Sequence, residues 1–147
     1  MAVTFRALSV GKLQVTPGVP GMRRLAQSFL LDSRKRIESG TGSSGRKMKR
    51  YSPDYAKFRA AHGRVTDRRT LVYSDRMLAT RQVKRVTEAT AVIGWPPGEE
   101  AVKALANETR TPFVNPTPGE RKALISRAKQ MIKANMKRSI AQARTKK

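Results

Sequence analysis

A mixed α+β domain is what this sequence predicts, and three observations predict it. Apolar residues recur at three- and four-residue steps from Met22 to about Glu38 and again from Thr117 to about Ala141, which marks a long amphipathic helix near each end. Between them, Arg81 to Val86 and Thr90 to Trp95 are short runs with β-branched residues, separated by Thr87-Glu88-Ala89, and they read as an antiparallel hairpin. Pro96-Pro97-Gly98 stops the second strand, because proline donates no hydrogen bond to a ladder. At 147 residues the chain is expected to form a single domain, 1–147, around one core.

The elements follow in order. Val3, Phe5 and Ala7 alternate with Thr4 and Arg6, the pattern of a half-buried strand ending near Gly11. Pro17, Gly18, Pro20 and Gly21 make a stiff loop before the first long helix. In that helix Met22, Leu25, Ala26, Phe29, Leu30 and Ile37 share the face that meets a sheet, while Arg23, Arg24, Arg34 and Lys35 stay in water. GTGSSG at Gly40–Gly45 fixes little of its backbone and opens a flexible basic excursion over 40–63. In the excursion, Arg46, Lys47, Lys49 and Arg50 cluster before Tyr51, and these five residues are the interaction candidates. Ser52 can cap a short helix whose first residue is Pro53 and which ends near Gly63.

Leu71-Val72-Tyr73 has strand character, and Ser74-Asp75 can cap a helical turn holding Met77 and Leu78. Val83, Val92, Ile93 and Trp95 are the expected core contributors of the hairpin. A helix from Gly98 to Glu108 carries Glu99 and Glu100 in its first turn, where carboxylates favour the dipole, with Val102, Leu105 and Ala106 expected inside. Arg110 to Phe113 reads as a further strand. Thr117-Pro118-Gly119-Glu120 is a capping box that opens the last helix. Its apolar stripe is Leu124, Ile125, Ala128, Met131, Ile132, Met136 and Ile140, and Arg121, Lys122, Arg127, Lys129, Lys133, Lys137 and Arg138 carry its charge. Residues 143–147 form a basic C-terminal tail. The core candidates are Tyr73, Met77, Leu78, Ile93, Trp95 and Phe113.

Charge limits the function. The chain has 32 Lys and Arg against 10 Asp and Glu, a formal net charge of +22. Such a monomer repels itself and favours partners that supply negative charge, whether nucleic acid, an acidic protein surface or an anionic membrane. Counted with the 10 glycines, the 38% hydrophobic content becomes roughly 45%, which places the chain among folded domains rather than disordered polycations. No acid occurs from Arg121 to Lys147, whereas a merely solubilising surface mixes signs. No apolar run approaches the ~18 residues of a membrane span, Arg6 and Lys12 interrupt any secretory leader, and the basic helix lacks the Trp and Phe of a membrane-surface helix. Membrane binding is therefore not expected, and the chain reads as soluble and unsecreted.

Residues that could do chemistry are almost absent. The chain has no cysteine, which excludes disulfides and thiolate metal sites, and its only histidine, His62, reads as a solvated or interface residue. Asp54, Asp67 and Asp75 stand where caps or turns are expected, so no carboxylate pair can be nominated. GTGSSG lacks the following Lys-Ser/Thr of a phosphate loop. No enzymatic activity, cofactor or metal is expected. Without zinc-finger spacing or paired stacking aromatics on a sheet, contact with nucleic acid would run through phosphates and be nonspecific.

From Leu71 onward the order of motifs resembles the small tail-completion or virion-morphogenesis proteins of tailed bacteriophages, a neck-region family. The strand and capped turn Leu71–Ala79 begin the pattern, although Asp75 stands where the family has glycine. Ala91-Val92-Ile93-Gly94-Trp95, Ala101 to Asn107, Arg110 to Phe113 and the long helix from Thr117 continue it, over about half of the chain. The resemblance implies an α+β subunit with a small antiparallel sheet flanked by a long N-terminal helix and a long basic C-terminal helix. It also implies a homo-oligomeric ring in the virion that completes the tail and joins it to the DNA-filled head, touching adjacent neck and tail proteins and the phosphates of passing DNA. The competing expectation is a basic nucleic-acid-binding protein, ribosome-associated or nucleoid-type. The placement of charge on folded elements, with only Ala143–Lys147 as a tail, speaks against it.

Overall fold

A computed structural model describes residues 2–6, 16–64, 66, 71 and 76–145. The fold is α+β. In chain order the elements are β1 (Ala2–Arg6), α1 (Gly18–Glu38), α2 (Pro53–Ala61), α3 (Arg76–Ala79), β2 (Gln82–Val86), β3 (Thr90–Gly94), α4 (Glu99–Arg110) and α5 (Pro118–Thr145).

The sheet is antiparallel with order β1-β3-β2. Val3 lies opposite Ile93 and Phe5 opposite Ala91 on one side of β3, and Val83 lies opposite Ile93 on the other. β3 takes the centre because its alternate residues Ala91 and Ile93 are fully buried, whereas β2 exposes Gln82, Lys84 and Arg85 and suits an edge. A register shift between Val83 and Arg85 adds a residue to that edge strand. The Thr87–Thr90 turn is closed by the Thr87 N–H on the Thr90 carbonyl and by the Thr90 N–H on Thr87 Oγ1. Ala7 to Gly11, the expected continuation of β1, lie outside the described residues.

α1 begins at Gly18, earlier than the apolar pattern suggests, and buries Met22, Leu25, Ala26, Phe29, Ser33 and Ile37. It ends in a Schellman cap. Gly40 at φ +68° sends its N–H to the Ile37 carbonyl, and Thr41 sends its N–H to that of Arg36. The first glycine of GTGSSG is thus a helix stop. The chain then doubles back, with Gly42 N–H on Arg46 O, Met48 N–H on Gly40 O and a bridge between Thr41 and Lys47. A Cβ on Gly42 would lie 3.0 Å from the Pro112 carbonyl, so this hairpin docks on the 111–117 connector. Met48 is buried in the core, so the excursion expected to be flexible over 40–63 is anchored there.

Three further expectations are corrected. Leu71 has φ +55°, a left-handed conformation no strand residue adopts; Val72, Tyr73, Ser74 and Asp75 lie outside the described residues. Val102, Leu105 and Ala106 face solvent, with Val102 68% and Leu105 51% exposed. α4 turns the small residues Ala101 and Ala104 inward instead, because small side chains allow it to lie close to the core. Arg110–Phe113 is not a strand either. α4 runs through Arg110, and the N–H groups of Phe113 and Val114 both donate to Glu108 Oε2, at 2.7 and 2.9 Å, so they cannot serve a ladder.

The capping box at the start of α5 forms in full. The Thr117 N–H donates to Glu120 Oε2 (2.8 Å) and the Glu120 N–H to Thr117 Oγ1 (3.1 Å). α5 then runs antiparallel to α1. Glu120 pairs with Arg36, Arg127 with Asp32, and Asn135 donates to the Pro17 carbonyl. Leu124, Ile125, Ala128, Met131 and Ile132 are half-buried there. Past Asn135 the start of α1 has been reached, and Met136 (49%) and Ile140 (54%) are exposed. α5 continues to Thr145, so the expected tail begins as helix. Met77, Leu78, Ile93, Trp95 and Phe113 are all buried, as the sequence suggests.

Candidate functional site

Arg46, Lys47, Lys49 and Arg50 are exposed on and just after the return strand of the 40–48 hairpin. The ladder just described holds the backbone of Arg46 and Lys47, and Lys47 Nζ donates to the Ser39 carbonyl at 3.1 Å. Placing charge there requires no burial, so the four side chains keep their hydration until a partner displaces it.

Tyr51 connects this cluster to a row of rings that the sequence reading missed. Tyr51, Tyr55, Phe58 and His62 follow at steps of four, three and four, the spacing of one helical face. The Tyr51 and Tyr55 rings meet edge to face at 5.2 Å, Tyr55 and Phe58 stack at 5.9 Å, and Phe58 and His62 lie 4.3 Å apart. The buried Arg59 places its guanidinium 4.6 Å from the centre of the Tyr51 ring. His62 is exposed and its Nδ1 is 2.7 Å from the Phe58 carbonyl, which fixes the ring in the row. Tyr55 (42%) and Phe58 (46%) remain exposed although α2 buries only Arg59. The row could have been found from ring spacing alone. What it does chemically is offer large, rigid apolar area beside four cations.

A second cluster is internal. Arg81, just before β2, is buried with its guanidinium 5.3 Å from the Phe29 ring and 5.2 Å from the Trp95 ring. It donates to Ser33 Oγ (3.0 Å) and the Val114 carbonyl (3.1 Å), while its Nε has no partner. Desolvation by burial, with Arg36 nearby, lowers its pKa to about 10. Arg36 in turn donates to the carbonyls of Phe113 and Asn115 and pairs with Glu120 at 2.8 Å. With Glu108 on the N–H groups of Phe113 and Val114, two arginines and two glutamates hold the irregular 111–117 connector. The linear sequence marks Glu120 as a capping-box residue but gives no sign of Arg36, Arg81 or Glu108, because only the fold brings the four together.

A cleft of about 210 Å³ between α1 and α3 is lined by Leu30, Ser33, Ile37, Leu78 and Arg81. Arg34 and Arg81 are its only ionisable side chains, so it offers no acid or base that titrates near neutrality. Among the described residues no group of three His, Asp or Glu could hold a metal ion, and no helix is long and apolar enough to cross a membrane.

No family model, curated protein or solved structure matches this chain.

Proposed function

We propose that the protein is a virion structural subunit of a bacteriophage neck, forming a ring that completes the tail and joins it to the DNA-filled head. The observation that carries this reading is the division of polar groups in the structure. Charge inside the subunit is consumed in holding the 111–117 connector, while Arg46, Lys47, Lys49, Arg50, Tyr55 and Phe58 are exposed at the surface. A surface of that kind, apolar anchors beside cations, is what a binding subunit presents. Support also comes from the order hairpin, α4 and long C-terminal helix that the resemblance implies, although Arg110–Phe113 is not the strand of that pattern.

The mechanism is geometric. Met48 anchors the arm in the core, and docking neutralises Arg46, Lys47, Lys49 and Arg50 against an acidic neighbour or DNA phosphates. Deleting the gene should leave packed heads and polymerised tails that fail to join. Normal numbers of joined particles from the deletion would end this proposal.

A second reading, a basic nucleic-acid-binding protein of ribosome-associated or nucleoid type, is favoured by the acid-free run from Arg121 to Lys147. It predicts tight binding to arbitrary duplex DNA whose affinity falls steeply with salt. A purified subunit that ignores duplex DNA at physiological salt rules it out.

A further inference from the structure

We infer that α2 and the basic run before it bind an unpaired strand of nucleic acid, with bases stacked on the Tyr55 and Phe58 rings and phosphates on the cations from Arg46 to Arg50. This goes beyond neutralisation by an acidic neighbour or by DNA phosphates, and it rests on the reading above only in taking this surface as the one that docks. α2 is a helix turned outward. It buries only Arg59, while Tyr55 and Phe58, three residues apart on one face, are 42% and 46% exposed, and His62 continues that face in the open.

The rings are held rather than loose. The Arg59 guanidinium lies 4.6 Å from the centre of the Tyr51 ring and 6.0 Å from that of Tyr55, and the Tyr55 and Phe58 planes are within 19° of parallel. His62 Nδ1 sits 2.7 Å from the Phe58 carbonyl. A platform ordered before its ligand arrives gives up little side-chain freedom on binding. From Tyr55 to His62 the face spans about 10 Å at 1.5 Å per residue, room for two or three bases about 3.4 Å apart.

Charge selects the occupant. Residues 46–64 carry seven Lys or Arg and one acid, Asp54, which stands in the first turn of α2 where a carboxylate suits the helix dipole. Arg46, Lys47, Lys49, Arg50 and Lys57 are all exposed. The occupant is therefore anionic, and to cover the rings it must present flat faces as well. An unpaired strand supplies both along its length. Duplex DNA does not, because its bases are already stacked on one another and the rings would meet only sugar and phosphate. An acidic protein surface supplies the charge, but its carboxylates give a ring no face to stack on.

The test compares three ligands of about 16 units, single-stranded oligo(dT), a DNA duplex and polyglutamate, by fluorescence anisotropy on the full-length subunit at about 0.15 M salt. Wild type should bind oligo(dT) most tightly. Tyr55→Ala/Phe58→Ala should weaken oligo(dT) by about tenfold or more while the duplex affinity and the melting temperature stay the same. Tyr55→Leu/Phe58→Leu keeps apolar side chains without rings and should lose oligo(dT) equally, which also covers an alanine variant that melts early. Changing Arg46, Lys47, Lys49 and Arg50 to glutamine should instead weaken all three ligands and reduce the slope of log affinity against log salt for oligo(dT) by about 3. A wild type that holds duplex or polyglutamate as tightly as oligo(dT), a leucine variant that binds oligo(dT) like wild type, ring variants that weaken all three ligands equally, or an unchanged salt slope would overturn the site. If oligo(dT) binding depends on the rings but the deletion phage joins heads to tails normally, the neck reading falls and the site stands.

Discussion

Trp95 and Arg81 show how single residues hold this fold. Trp95 is 4% exposed, donates from Nε1 to the Met77 carbonyl, meets the Phe113 ring edge to face at 6.2 Å and carries the Arg81 guanidinium on its own ring. Trp95→Ala should therefore cost about 3–5 kcal/mol. At roughly 2–4 °C per kcal/mol for a chain of this size, the melting temperature falls by close to ten degrees or more. A drop of only a degree or two would place Trp95 outside the core. Arg81 behaves in the opposite sense. Its folded-state pKa of about 10 lies below its unfolded value, so from about pH 10 upward the unfolded chain holds more protons. Stability contributed by this group therefore rises with pH across that window, and the full cost of keeping it charged is present below it. Arg81→Met fills the volume without the charge. The wild-type melting temperature minus that of Arg81→Met should increase between about pH 9 and pH 11. A difference that stays flat or decreases contradicts a desolvated guanidinium.

At the scale of elements, the start of α5 combines a local and a tertiary device. Thr117→Ala removes one cap bond and should cost about 1 kcal/mol. Glu120→Ala removes the reciprocal bond and also leaves Arg36, with a side chain 8% exposed, without its carboxylate. The second variant should cost at least twice as much as the first, since an unpaired buried cation is expensive. Equal losses in urea denaturation would mean that the Arg36 pair adds nothing. α4 provides the contrast. Its apolar period is real, but Val102 and Leu105 point outward, so period alone does not identify the buried face when Ala101 and Ala104 lie on another one.

For the whole molecule, net charge of +22 turns association into an electrostatic question. Changing Arg46, Lys47, Lys49 and Arg50 together to glutamine should weaken association with the natural partner and flatten its salt dependence. The melting temperature of the isolated subunit should stay the same, because all four side chains are exposed. Trypsin supplies the direct check on assembled particles. Cleavage after these residues should be slower there than in the free subunit, and equal rates would remove the arm from the interface.

The sequence by itself determined whatever depends on neighbours within a few residues. The hairpin Gln82–Gly94, the capping box at Thr117, Pro53 opening α2 and the buried face of α1 are all local, since helical and strand periods and cap chemistry act over one or two turns. The candidate site was legible in the same way. Arg46–Arg50 and Tyr51 stand out as a run, and the Tyr55, Phe58 and His62 row was there to be read from ring spacing. Tertiary structure alone decided the rest. It ended α4 at Arg110 and turned residues 111–117 into a connector held by Arg36, Arg81, Glu108 and Glu120, it buried Met48 from a polar hairpin, and it left Met136 and Ile140 bare where α5 outruns α1. These outcomes depend on residues as far as 118 positions apart, as in the Asn135–Pro17 contact, and no local pattern encodes which distant charge or helix end will arrive.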